Sequence, residues 1–132
     1  MTKHGFSERR KSTCRRLLQQ LADRGRETGK WNFAIRMTEE MPQGVPIDWL
    51  RTQYFSIVVD GVATADVDYQ SLLAILLMSE KYAAIDPPLA EVPDFAEPTF
   101  SLEEEMRLLR RFPIQERDDP NKCLLLNEPK KP

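Results

Sequence analysis

A chain of 132 residues with 41% hydrophobic and 30% charged residues has the size and mix of one globular domain, which excludes wholesale disorder. Its longest all-apolar run, 72–78, has seven residues, far short of the ~20 that a membrane-spanning helix needs. The net charge of −2 conceals segregation: nine Lys/Arg stand against three acids over residues 1–30, three against fourteen over 31–105, and seven against four over 106–132. Such polarity bears on association with other molecules rather than on chemistry.

Ser7 can cap a first helix running to about Arg24, with Gly25 as its expected stop. Cys14, Leu17, Leu18 and Leu21 recur at i, i+3, i+4 and i+7 and form its apolar stripe. Arg9 and Arg16 fall on the opposite side, with Arg15 and Gln19 flanking the same polar arc. Residues 31–37 alternate apolar Trp31, Phe33, Ile35 and Met37 with Asn32, Ala34 and Arg36, the period of a half-buried strand. Pro46 can begin a short helical turn through Trp49 and Leu50.

Tyr54 to Val59 is aromatic and β-branched, Asp60-Gly61 interrupts it, and 62–65 resumes it. Asp-Gly between two such runs predicts a hairpin, because both central residues of a type I′ turn need positive φ. The competing pattern is a helix over 46–59, with Ile47, Leu50, Tyr54 and Ile57 on one face. Asp68 then caps a helix from Tyr69 to about Ala83, apolar on nearly every side and so expected at the centre of the core. The proline spacing of residues 85–98 predicts an extended acidic arm. Ser101 with Glu104 makes a capping box for a last helix to about Phe112, with Leu102, Met106 and Leu109 as its apolar side and Pro113 as its stop.

These elements predict an α+β fold in which a small antiparallel sheet (31–37, 54–59, 62–65) is packed by the basic helix and the apolar helix. The alternative is an all-helical bundle. The expected organisation is a flexible 1–6, a globular core over 7–84, a Pro-rich arm over 85–100, a helix over 101–112 and a polar tail over 113–132.

Charge patterning singles out Arg9, Arg10, Arg15 and Arg16 as a surface for an anionic partner. Either these bases face a protein, a nucleic acid or an anionic membrane, or they solvate the helix and pair with the domain's own carboxylates, masked until a partner competes. Leu89, Val92 and Phe95 in the arm, and Leu124, Leu125 and Leu126 in the tail, either contact a protein partner or pack back on the domain. Asp66 and Asp68, with Asp60 nearby, resemble a carboxylate pair that could hold a divalent cation or act as acid and base, yet turn and cap roles explain Asp60 and Asp68 without a ligand. His4 is the only histidine, Cys14 falls on an apolar stripe, and no phosphate loop, nucleophile elbow or zinc spacing occurs.

The expected function is therefore non-catalytic: an interaction or assembly protein, adaptor or structural accessory, without cofactor or metal. Its expected partner is a protein, and it can also form a homo-oligomer. Binding to nucleic acid or an anionic membrane surface is the first alternative, and a small metal-dependent enzyme built on Asp60, Asp66 and Asp68 the second. Two cysteines without a disulfide framework, and no apolar leader, point to a cytoplasmic or nuclear protein that is not secreted.

Overall fold

The computed structural model describes residues 8–40 and 44–124, and the backbone of 126 and 127. The expected Ser7 cap, the 1–6 segment with His4, and Leu125 lie outside the described residues. The elements are α1 (Glu8–Thr28), β1 (Ala34–Met37), β2 (Val45–Pro46), α2 (Ile47–Leu50), β3 (Tyr54–Val59), β4 (Val62–Asp68), α3 (Tyr69–Ala83), α4 (Leu102–Arg111), β5 (Ile114–Gln115) and β6 (Leu126–Asn127). The fold is α+β, and the expected hairpin, not the helix over 46–59, is formed.

Asp60 (φ 54°) and Gly61 (φ 79°) supply the two positive-φ positions of the hairpin turn, and Val59 pairs with Val62 across it. The main sheet has the order β4-β3-β1-β5. Its first three strands are antiparallel, as expected, but β5 joins β1 in parallel and makes the sheet mixed. Side chains alternate across the pleat, so Ile114, Ile35, Ile57 and Ala65 form one row on the inner face, with Met37, Phe55 and Val67 beside it. The other face carries Gln115, Arg36, Ser56 and Asp66 in a polar row. β1 is shorter than the alternation of 31–37 predicts: Trp31 and Phe33 precede it and pack, half-buried, against the core.

Over the inner face lie α1 and α3. The α1 stripe of Cys14, Leu17, Leu18, Leu21 and Ala22 is buried, as the periodicity predicts. The helix does not stop at Gly25, however. Gly25 continues the buried stripe, and the helix ends at Gly29, whose φ of 76° takes the left-handed turn while its N–H donates to the Gly25 carbonyl at 2.8 Å. Burial pushes the Cys14 thiol up to about 11, the value of an inert core residue. In α3, Leu72, Leu73, Ala74, Ile75 and Leu76 are all essentially inaccessible, and the Asp68 carboxylate caps the helix by accepting from the Ser71 N–H at 3.0 Å.

Ser101 caps α4 by accepting from the Glu104 N–H at 3.1 Å. Its buried side is Glu105, Met106, Leu108 and Leu109, while Leu102, expected inward, is 41% exposed at the first helical position. The expected polar tail is in part structural. Ile114 is buried in β5, the Leu124 N–H donates to the Ile114 carbonyl at 2.7 Å, and β6 pairs in parallel with β2.

Candidate partner-binding surface on the first helix

Residues 85–100 contain no helix or strand, and the first part of this arm runs beside α1. Gln19 holds it with both ends of its amide: Nε2 donates to the Ala90 carbonyl at 3.0 Å, and Oε1 accepts from the Val92 N–H at 2.8 Å. Arg15 donates to the Val92 carbonyl at 3.0 Å, Arg26 donates to the Leu89 and Ala90 carbonyls, and Lys11 pairs with Asp94 at 2.8 Å. Val92 is 1% exposed, which removes it from any outward contact surface. Leu89 and Phe95 are half-buried against the core, and so is Leu124 in the tail. An extended segment with few partners for its own carbonyls takes them from the helix beside it. Leu126 contributes its backbone to β6, and its side chain lies outside the described residues.

The four singled-out arginines thus divide into two pairs. Arg10 donates through Nε and Nη2 to Asp68 Oδ2 at 3.0 and 2.7 Å, and Arg15 is tied to the arm. Arg9 and Arg16 are exposed, and neither side chain has a hydrogen bond or ion pair among the described residues. Seven residues apart on one helix, they stand about 10.5 Å apart along its axis. Towards the other end of α1, Arg24 bridges to Asp60 of the hairpin turn at 2.7 Å, an exposed pair that it shares with Glu27.

Between the first half of α1 and β4 lies an open groove of about 430 Å³. Arg9, Arg10, Thr13 and Arg16 form its helical wall, and Ala65, Asp66, Val67 and Asp68 its strand wall. At Asp68, burial opposes ionisation, but hydrogen bonds from Ser71 and Arg10 outweigh it and hold the carboxyl below its ordinary value. The cation beside it is therefore matched, whereas Arg9 and Arg16 have no counter-charge among the described residues.

A second polar cavity of about 400 Å³ joins Arg10 and Asp68 to a network around Glu105. Arg51 reaches both Glu105 oxygens at 3.2 and 3.1 Å, and the Tyr69 hydroxyl donates to Glu105 Oε1 at 2.8 Å. Burial, reinforced by that carboxylate, pushes the Tyr69 phenol well above its usual range and keeps it a donor. Every charged group here is satisfied by another, which suits a clamp holding α4 on α3 and α2.

The three carboxylates considered for a cation do not converge. Asp60 faces Arg24, Asp66 accepts from Ser56 Oγ at 2.7 Å, and Asp68 faces Arg10 and the start of α3. Among the described residues no group of three or more His, Cys, Asp or Glu side chains is placed to hold a metal ion, and no helix is long and apolar enough to cross a membrane. Sequence reading missed the arm's attachment to Arg15 and Gln19 and the placing of β4 beside Arg9 and Arg16. Both depend on which distant segments become neighbours, and local periodicity carries no signal of that. No protein-family model, curated protein or solved structure matches the chain.

Proposed function

We propose that this protein is a non-catalytic interaction module, an adaptor or assembly component that offers the Arg9 and Arg16 side of α1 to an acidic protein partner. One observation carries this reading: on a helix whose other cations are engaged internally, these two are exposed without a counter-charge among the described residues. Exposed cations of this kind contribute only ~0–1 kcal/mol to folding, so replacing them isolates binding from stability.

A protein partner is favoured over nucleic acid by the size of the footprint. Two phosphate contacts give a slope of log affinity against log salt of about −1.8, against the six to ten contacts common in DNA-binding proteins. Glu8, next to Arg9 on α1, and Asp66, on the strand wall of the groove, are both exposed and interrupt any basic track that a phosphate backbone would follow. An anionic bilayer is supported less, because no aromatic side chain lies on α1 to enter it.

Affinity purification from the native host, followed by binding measurements with the purified partner, tests the assignment. The Arg9→Ala/Arg16→Ala variant should melt within about 1 °C of the parent, since neither side chain has a hydrogen bond or ion pair among the described residues. It should bind its partner about tenfold more weakly in low salt, the cost of two exposed charge pairs. Equal affinity in parent and variant would remove the proposal.

A further inference from the structure

Resting on that reading of the α1 surface, we infer that the partner is engaged as an extended acidic segment that adds alongside β4 as a new edge strand of the main sheet. β4 is the long edge of this sheet: seven residues, paired among the described residues with β3 alone. The opposite edge, β5, has two residues and is capped by the bridge between Gln115 and Cys123. An edge strand turns alternate N–H and C=O groups outward, where they can pair with another chain.

The usual guards of an edge are weak here. β4 has no lysine and no proline. Its irregularity falls beside the hairpin turn, where Thr64 is extra, and 65–68 stay in regular register against Ile57, Ser56, Phe55 and Tyr54. Its two carboxylates are turned to internal donors, Asp66 to Ser56 and Asp68 to Arg10 and Ser71.

The groove supplies the second half of the argument. An edge strand with a helix running beside it is the arrangement into which extended peptides dock, taking affinity from main-chain pairing and selectivity from the helix side. Here the helix side presents Arg9 and Arg16, and the groove between has about 430 Å³ of free space. Side chains of an added strand alternate at ~6.8 Å per two residues, so acids at every second position all face these arginines. The intervening positions fall on the side of Asp66, which disfavours acids there. A second copy of this chain fits less well, because pairing β4 with β4 would bring two sets of Arg9 and Arg16 together.

The test uses the full chain and a blocked peptide of alternating Glu and Val. Its controls are a peptide of equal charge with Pro in place of Val, and one with Lys in place of Glu. The Glu-Val peptide should bind and slow amide exchange within 65–68 by about tenfold, whereas the Pro and Lys peptides should bind at least about tenfold more weakly. Its affinity should also fall by about tenfold or more in Arg9→Glu/Arg16→Glu, a surface change checked for folding by circular dichroism. If the Glu-Val and Glu-Pro peptides bind equally and both need the arginines, strand addition is overturned while the cationic-surface reading stands. If neither acidic peptide binds in low salt, both fall. Concentration-dependent dimerisation that protects 65–68 without peptide would assign the edge to a second copy and overturn the inference.

Discussion

At Gly25 a Cβ would lie 3.8 Å from the Lys30 carbonyl oxygen and 3.9 Å from Trp31 Cε3, ordinary contact distances within a helical backbone. Alanine there gains helix propensity without a clash, so Gly25→Ala should stabilise the domain by about 0.5–1 kcal/mol. Gly29 meets no atom within 4 Å, yet its φ of 76° disfavours any Cβ, and Gly29→Ala should cost about 1 kcal/mol. Urea unfolding of the two variants separates the roles, and the same sign at both positions would contradict them. This pair also explains a misreading. Either glycine can end a helix as far as local pattern goes. What decides is that 25 falls on the buried stripe with 14, 17, 18, 21 and 22, while 29 lies beyond it.

Among the elements, those whose signals are local were legible from sequence: the Asp60-Gly61 turn, the caps at Asp68 and Ser101, the α1 stripe and the apolar α3. Each depends on residues within a turn or two of one another. Two-residue strands such as β2, β5 and β6 have no period to read and exist only through their pairing with distant partners. Arg9 and Arg16 were legible as part of a basic arc, but their separation from Arg10 and Arg15 was not, since it depends on where Asp68 and the arm come to rest. Asp68 joins both kinds of information, because it caps α3 and also binds Arg10 on α1. Asp68→Asn should keep the cap and lose the charge, whereas Asp68→Ala should lose both and cost a further ~1 kcal/mol. Because folding lowers this carboxyl below its ordinary value of 3.8, its contribution is complete above that value and disappears as pH falls through the depressed one. Denaturation of the parent and of Asp68→Asn at neutral pH and in acid should therefore show the stability gap closing in acid. A gap that stays constant would mean the Arg10 pair does not stabilise the fold.

For the molecule as a whole, the charge segregation of the sequence overstates the cationic surface that the fold presents. The acidic half answers much of the basic leading segment: Arg10 by Asp68, Arg24 by Asp60, and Lys11 by Asp94. The arm extends this by giving its carbonyls to Arg15, Arg26 and Gln19. It therefore acts as a strap that limits how much of α1 an anion can meet, and loosening it should enlarge that surface. In Gln19→Ala/Val92→Ala the strap loses two hydrogen bonds and two methyl groups, the latter worth about 1.6 kcal/mol at ~0.8 kcal/mol per buried carbon. Amide exchange should then quicken across 85–98 while α3 stays protected. With Lys11 and Arg15 joining Arg9 and Arg16, the salt slope for a short DNA duplex, used only as a generic polyanion, should steepen from about −1.8 to about −3.6. A slope unchanged despite a mobile arm would mean that Lys11 and Arg15 find other internal partners, and that the arm covers the helix without controlling its charge.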